Sequence, residues 1–336
     1  MRMKMRHCSL GLAIFLAIAS PVFADEGDKR SIVGVDAKLL SDPPKSRPTG
    51  ERVPFGAIVE VLEEKKTLNG WHAKIKLVGD NKPLGWIETK GNLGHVKEFD
   101  PSMKPSDAVA LVDSFDALDR IMACMYNTRG RYLKERAKEL GAVPADLAAV
   151  LRVESSGRAF DDDGYPIMRF ENHVFYRNWG EKHKDVFDKH FTFDQKTRHK
   201  NHTFRKNPEA VRSAFHLDNR REREVLAFAR NLDDTAALLS ASYGAAQVMG
   251  FNHKKIGYKD VQSMYAAFNA GIRPQLDGMI AYIKATPLCM EGLKNRDYFK
   301  FATGYNGKGK ENDYARKIKA AAESYAKVTK GKTEAE

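Results

Sequence analysis

The chain has 336 residues, of which 42% are hydrophobic and 10% aromatic, so it can form about two domains with apolar cores. This composition excludes a chain that is disordered throughout. The formal net charge of +12 favours a partner that carries carboxylates or phosphates.

The N-terminus has the pattern of a secretory signal peptide. A basic stretch with Arg2 and Arg6 precedes the apolar residues 10–19, a run shorter than the roughly 20 residues needed to span a bilayer. Small residues at Val22 and Ala24 match what a signal peptidase reads, so we expect cleavage after Ala24. An uncleaved membrane anchor is the alternative. We predict a periplasmic or secreted protein without membrane contact after cleavage.

The predicted export limits the kinds of partner that the positive charge suggests. A basic cytoplasmic protein would suggest nucleic acid, which we do not expect here, whereas a basic exported protein suggests an anionic polymer of the cell envelope. The mature chain keeps two cysteines, Cys124 and Cys289. They are a candidate disulfide in an oxidising compartment. Two buried free thiols are the alternative, because both cysteines lie in apolar, helical segments.

The first segment of the mature chain has the pattern of short β-strands. Residues 58–62 are mostly apolar, residues 71–77 alternate with a period of two, and residues 84–87 form a last strand. Asn69 and Gly70 mark a tight turn between the first two. Short strands separated by turns predict a small β-barrel.

Three stretches of this segment resemble bacterial SH3-like domains: residues 56–61 (GAIVEV), 70–75 (GWHAKI) and 85–87 (GWI). The resemblance implies an SH3-like barrel that binds the cell wall or a protein partner. A structural barrel without a ligand is the alternative. Trp71 and Trp86 are expected in its core.

Beyond a linker, the pattern becomes helical. Ser106 or Asp107 is expected to cap a helix whose apolar face extends from Val109 to Met125, and this helix is interpreted as a spacer. Further helices are predicted at 218–230, 233–241, 258–268, 272–284, 295–303 and 311–327.

Glu154 is the first candidate for chemistry. It lies near the end of a helix that Pro144 begins and Gly157 terminates. Burial against an apolar helix raises the pKa of a carboxyl and keeps it protonated near neutral pH. Cleavage of a glycosidic bond requires such a proton for the leaving oxygen.

The stretch 182–206 is rich in Lys, Arg and His. The spacing of its histidines fits no standard metal site, so we expect neither a metal nor another cofactor. We interpret the stretch as a solvated insertion that faces an anionic substrate. The histidines are His183, His190, His199 and His202.

Five stretches are similar, in sequence and in order, to the N-acetylmuramidases of phage endolysins and exported bacterial proteins. They are residues 151–158 (LRVESSGR), 168–176 (MRFENHVFY), 236–252 (AALLSASYGAAQVMGFN), 301–307 (FATGYNG) and 314–318 (YARKI). The resemblance covers residues 142–325, essentially that whole domain. It implies a lysozyme-like α fold and cleavage of the bond between N-acetylmuramic acid and N-acetylglucosamine.

The resemblance also implies roles for individual residues. Glu154 corresponds to the general acid, and Glu171 is our choice for a second active-site carboxylate, with His173 beside it. The family motif usually reads FERH, so Asn172 departs from it, and a basic contact is in doubt. Tyr314, in the last helix, is interpreted as scaffold.

Further residues are expected to bind the glycan. Tyr243 stands where the family usually has Trp and would provide an aromatic wall for a sugar, with Ser242 next to it. Gln247 is expected to hydrogen-bond an acetamido group or the attacking water. Tyr305 and Asn306 are expected to line the same cleft.

The sequence therefore predicts an α+β protein in which a small SH3-like barrel precedes a mostly helical, lysozyme-like domain. Its function is hydrolysis of peptidoglycan glycan strands; lytic transglycosylation with 1,6-anhydro products and non-catalytic wall binding are the alternatives. The expected parts are a signal peptide (1–24), the SH3-like barrel (31–99), a linker (100–106), a helical spacer (107–140) and the N-acetylmuramidase domain (141–328).

Overall fold

The computed structural model describes residues 28–43, 47–216, 218–307, 309 and 311–334. The predicted signal peptide lies outside the described residues. Antiparallel β-structure forms the N-terminal part and helices dominate the rest. Across the described ranges, no helix combines the length and apolar character needed to cross a membrane.

Seven antiparallel strands form one N-terminal sheet. They are β1 (Lys29–Ile32), β2 (Lys38–Leu40), β3 (Pro48–Arg52), β4 (Ile58–Thr67), β5 (Gly70–Leu77), β6 (Gly85–Glu88) and β7 (Leu93–His95). Their order across the sheet is β3-β2-β6-β5-β4-β1-β7. The edge strands β3 and β7 are not paired with each other in the described part of the chain, so the predicted closed barrel is not shown.

The predicted alternation holds in β5, where Ala73 and Ile75 face a small core shared with Val59 on β4. The two tryptophans differ. Trp86 is buried as expected, but Trp71 is 50% exposed, so the prediction that both lie in the core is wrong for Trp71. Trp71 lies on the same face of β5 as Ala73 and Ile75, because these residues are two and four positions apart, but it is next to the hairpin turn at Gly70 and outside the small core.

The first helix, α1 (Ala117–Leu140), begins later than predicted. Asp116 caps it by accepting a hydrogen bond from the Asp119 N–H, so neither Ser106 nor Asp107 is the cap. The preceding segment is held extended because the Asn127 side chain bonds both the N–H and the carbonyl of Val109. Apolar residues of α1 belong to the main core of the helical part, so the predicted spacer packs as part of that core.

Ten further helices complete the described helical part. They are α2 (Pro144–Ser155), α3 (Asn172–Asn178), α4 (Lys184–His190), α5 (Asn219–Leu232), α6 (Asp234–Leu239), α7 (Val261–Ala270), α8 (Ile272–Lys284), α9 (Pro287–Lys294), α10 (Tyr298–Asn306) and α11 (Glu311–Val328). Helix α9 has no counterpart among the predicted ranges, although its Cys289 was expected in a helical segment. Gly292 in its interior lowers helix propensity, but a Cβ there would lie 2.5 Å from the Phe301 backbone nitrogen, so the packing of α9 on α10 requires glycine.

Two small sheets interrupt the helices. Strands β8 (Met168–Phe170), β12 (Ala241–Tyr243) and β13 (Val248–Met249) form one of them, and β9 (Phe191–Thr192), β10 (Thr203–Phe204) and β11 (Ser213–Ala214) form the other. The first, with β12 in the middle, carries the segments that the sequence singled out after Glu154.

The stretch 182–206 is not simply a solvated insertion, and that interpretation is wrong for its centre. Phe187, Phe191 and Phe204 pack in the main core, and His202 is buried with them. Its lysines and arginines remain mostly exposed. The phenylalanines therefore attach the stretch to the core, which its high content of charged residues did not indicate.

The two cysteines are separate, buried free thiols, so the candidate disulfide between Cys124 and Cys289 is wrong. Cys124 lies on α1, whereas Cys289 lies on α9 with its Sγ directed at the carbonyl of Phe301. Burial raises the pKa of each thiol to about 12, which makes both unreactive near neutral pH.

Candidate active site

Helix α2 positions Glu154. The helix is buried from Pro144 to Leu151, and its last turn brings Glu154 to the boundary of the core, where the side chain keeps partial exposure. The helix ends at Ser156, which adopts a left-handed conformation with φ of 57°. This termination leaves the acid at an accessible helix end with apolar residues behind it.

The C-terminal helices supply the partners of Glu154. Tyr314, in the first turns of α11, donates its hydroxyl hydrogen to Glu154 Oε1. Asn306, the last residue of α10, also hydrogen-bonds the carboxyl. Tyr305 lies close by, and burial together with the charge of Glu154 raises the pKa of Tyr305 well above its ordinary value.

The balance at Glu154 favours the protonated acid. Burial raises the pKa of Glu154 to about 7, although the hydrogen bonds from Tyr314 and Asn306 act in the opposite direction. Desolvation is therefore the dominant effect, as expected for a carboxyl whose charged form has lost water without gaining a cation. Near neutral pH, a large fraction of the molecules hold a proton at Glu154.

A buried carboxylate from the N-terminal part fixes the segment that follows Glu154. Glu98 accepts hydrogen bonds from the backbone N–H groups of Ala159 and Phe160, at 3.0 to 3.1 Å. It also pairs with Arg129 of α1 at 3.1 Å, and both side chains are 3% exposed. Glu98 thus joins the N-terminal part to α1 through a buried ion pair and to the segment after Glu154 through hydrogen bonds.

Glu171 has very different surroundings. It precedes α3, and its backbone N–H bonds the Ser240 carbonyl beside the sheet of β8 and β12. Its Oε1 accepts a 2.8 Å hydrogen bond from Arg169 Nε. Its Oε2 lies 3.4 Å from the Nδ1 atoms of both His173 and His202.

These neighbours keep Glu171 ionised. Burial by itself would raise the pKa of Glu171, but its close neighbours His173, Arg169 and His202 lower it to about 2. Burial lowers the pKa of His202, against opposing effects of the Arg198 carbonyl and Glu171. The carboxylate thus stays negative throughout the pH range in which Glu154 gains and loses its proton.

Ser242 and Gln247 bond each other and the backbone. The Ser242 hydroxyl donates to Gln247 Oε1 at 2.9 Å, and Gln247 Nε2 donates to the carbonyls of Ile167 and Gly244. Both amide hydrogens of Gln247 are therefore used. In this arrangement Gln247 holds the turn between β12 and β13, and its hydrogen bond to an acetamido group or to the attacking water stays a prediction.

The predicted aromatic wall is not at Tyr243. This residue is fully buried, its hydroxyl donates to the Leu238 carbonyl, and its ring packs edge-on against Tyr265. The prediction that Tyr243 stacks on a sugar is therefore wrong, because its β12 position directs it into the core. Tyr305 is partly exposed and donates to the Ala246 carbonyl, which ties α10 to the β12–β13 turn.

The predicted site residues thus fall into two groups. Glu154 has Tyr305 and Asn306 around it, and Glu171 has His173 beside it; no hydrogen bond or ion pair between described residues joins the two carboxyls directly. The sequence interpretation missed two partners. Tyr314 was taken as scaffold, and His202 was not assigned to Glu171; only the Tyr314 position within the YARKI motif gave a usable signal.

The helical part of the chain is similar to known proteins. A family model described as "Muramidase: N-acetylmuramidase" matches residues 143–326. The crystal structure of the Burkholderia AP3 phage endolysin is similar at 25% sequence identity and a TM-score of 0.48, over 60% of this chain and 72% of that one. No curated protein matches the chain.

The family match is stronger evidence for the family than a single motif would be. It spans α2 with Glu154, the sheet of β8, β12 and β13, and the C-terminal helices that hold the partners of the acid. It also covers more than half of the described sequence. This chain therefore belongs to the N-acetylmuramidase family and is a glycoside hydrolase that acts on peptidoglycan.

Proposed function

We propose that the protein hydrolyses the β-1,4 bond between N-acetylmuramic acid and N-acetylglucosamine, with Glu154 as general acid. The observation that carries this proposal is the position of Glu154 in the last turn of the buried helix α2, where burial raises its pKa to about 7. A general acid is most effective when its pKa lies near the working pH, because it then holds the proton and still releases it readily. In the reaction, Glu154 protonates the bridging oxygen as the bond to the anomeric carbon breaks.

Glu171 is the second carboxylate of this proposal. Its low pKa supports a role as the charged partner that orients the attacking water or stabilises positive charge at the sugar ring. Its Oε1 is held by Arg169, whereas its buried Oε2 has no hydrogen-bond partner among the described residues, and we assign this oxygen to the attacking water. Two carboxyls with pKa values pushed apart are the usual basis for dividing acid and base roles.

The proposed glycan contacts follow from exposure. Asn306 is exposed, and Tyr305 and His173 are partly exposed, so these three are proposed to contact the sugar. Ser242 and Gln247 are proposed to shape the site by holding the turn, and a lone pair on Gln247 Oε1 and the lone pairs of the Ser242 hydroxyl remain as acceptors for a ligand.

The products test hydrolysis directly. Purified sacculi are digested, and the released muropeptides are analysed by mass spectrometry, with a Glu154→Gln variant as control. Reducing-end N-acetylmuramic acid is expected with the parent and not with the variant. Predominantly 1,6-anhydro products would show that the reaction is transglycosylation and not hydrolysis. Equal release of products by the variant would show that Glu154 is not the general acid.

We also propose that the protein is exported and that its N-terminal sheet is an SH3-like module that binds the cell wall. Support comes from exposed apolar side chains around the β4–β5 hairpin, where Trp71 is 50% exposed and Leu68 fully so. Trp71→Ala is expected to weaken sedimentation with sacculi, while activity on short soluble glycan fragments stays unchanged. Equal sedimentation would contradict the binding role. The export itself is tested by fractionation of cells that express the full chain.

A further inference from the structure

Three potential metal ligands converge beside α3. Glu171, His173 and His202 each offer one ligand atom, and these atoms all lie within 4.8 Å of one another. Glu171 Oε2 is 3.4 Å from Nδ1 of both histidines. Ligands bonded at about 2.1 Å to a tetrahedral ion are separated by about 3.4 Å. Two edges of the triangle thus already have the size that an ion of this kind requires.

The hydrogen bonding of His202 shows which of its nitrogens is available. Its Nε2 lies 2.8 Å from the carbonyl oxygen of Arg198. Because a carbonyl can only accept, Nε2 must carry the hydrogen, and a neutral ring then has its lone pair on Nδ1. That lone pair faces the negative Glu171 Oε2, with a single long contact of 3.4 Å from the Asn172 N–H. Two electron-rich atoms therefore face each other across a gap that favours a positive charge.

The other two ligand atoms lack partners. Glu171 Oε2 and His173 Nδ1 are buried and have no hydrogen-bond partner among the described residues. Leaving such atoms unpaired inside a protein is unfavourable. Both atoms belong to the same triangle, so a single ion would satisfy them together.

The surroundings resemble the supporting groups of known metal sites. A histidine that binds a metal usually donates its other N–H to a carbonyl or carboxylate, as His202 does to Arg198. Arg169 likewise fixes Glu171 through Oε1 and leaves Oε2 free. The His173 side chain is 24% exposed, which provides a path for an ion that the completely buried His202 does not offer.

We propose that Glu171, His173 and His202 bind a divalent transition-metal ion of the zinc class, through Oε2 and the two Nδ1 atoms, with water in the fourth position. Two nitrogens and one carboxylate oxygen with an open position are a donor set that suits Zn²⁺. Binding also occupies the oxygen that the proposed mechanism leaves for water, so the ion inhibits hydrolysis. This consequence rests on the proposed function, whereas binding itself does not.

The binding test uses the full mature chain without a histidine tag, after treatment with a chelator. Titration with zinc sulfate in a calorimeter is expected to show one tightly bound ion per chain, and Co²⁺ is expected to give the strong visible absorption of a four-coordinate site. His173→Gln and His202→Gln should lose both signals. His199→Gln, which changes an exposed histidine of the same stretch, should keep them.

The outcomes separate binding from function. The absence of Zn²⁺ binding by the parent, its persistence in His173→Gln, or its loss in His199→Gln would overturn the proposed site. Because His173 is partly exposed, that variant keeps the test valid even if His202→Gln unfolds. Inhibition of wall digestion by Zn²⁺ in the parent but not in His173→Gln is expected; binding without inhibition would contradict the assigned role of Glu171 and leave the metal site standing.

Discussion

Glu154 and Glu171 carry the same carboxyl group in opposite surroundings. Glu154 ends a buried apolar helix and receives hydrogen bonds only from neutral side chains, so burial raises its pKa to about 7. Glu171 is also largely buried, but His173, Arg169 and His202 offset that burial and lower its pKa to about 2. The presence of cations, rather than burial alone, therefore decides which of the two carboxyls holds its proton.

The largest effect is expected from removal of the proposed proton donor. Glu154→Gln keeps the shape of the side chain but cannot donate, so kcat on purified sacculi should fall on the order of 10³-fold. The measurement is turbidity loss together with reducing-end release. Thermal unfolding of the variant provides the control for folding. A loss below tenfold would show that the comparison assigns the acid to the wrong carboxyl.

A smaller loss is expected at the ionised partner. Glu171→Gln removes the negative charge, and kcat should fall on the order of 10²-fold with little change in KM, because the charge acts mainly in the transition state. Asp188→Asn, which changes an exposed carboxylate of α4, is the matched control and should leave kcat unchanged. Full activity of Glu171→Gln would leave Glu154 as an acid that works alone.

The sequence was sufficient to predict where Glu154 lies in its helix, but not which residues surround it. Glu154 was predictable because a helical apolar pattern with Pro144 at its start and Gly157 after its end places the acid at a helix terminus. Tyr243 was misassigned because the direction of a side chain on β12 depends on its pairing with β8, which no local pattern reveals. His202 reaches Glu171 only through the fold of the loop that joins β9 and β10.

Contacts between distant residues also limit how much of the fold can be predicted from the sequence. The strands β4, β5 and β6 and most helices follow from alternation and caps, whereas the segment before α1 is tied down by a hydrogen bond between the Asn127 side chain and the distant Val109 backbone. The ion pair between Glu98 and Arg129 likewise joins residues 31 positions apart. Periodicity reports which face is apolar, but it does not report which distant polar group meets which backbone atom.

The raised pKa of Glu154 also predicts a pH-dependent stability. A carboxyl with a folded-state pKa of about 7, above its unfolded value, stabilises the fold fully below the unfolded pKa and loses this contribution as pH rises through 7. Glu154→Gln should therefore raise the free energy of unfolding at pH 8 by about 2–3 kcal/mol. The gain should vanish toward pH 4.5. Urea unfolding at both values measures it, and an equal gain at both would show that desolvation is not the cause.

The smallest effect tests the hydrogen bond that opposes desolvation. The Tyr314 hydroxyl stabilises the charged form of Glu154 and so lowers its pKa. Tyr314→Phe removes this bond while the ring remains, so the pKa should rise and the alkaline limb of kcat/KM against pH should move upward by about half to one unit. Tyr325→Phe, which changes a buried tyrosine further along α11, is the control and should leave the limb in place. A downward shift, or none, would mean that Tyr314 holds the carboxyl in position without tuning its proton, and the contrast between the two acids would then rest on the cations around Glu171 and on burial at Glu154 alone.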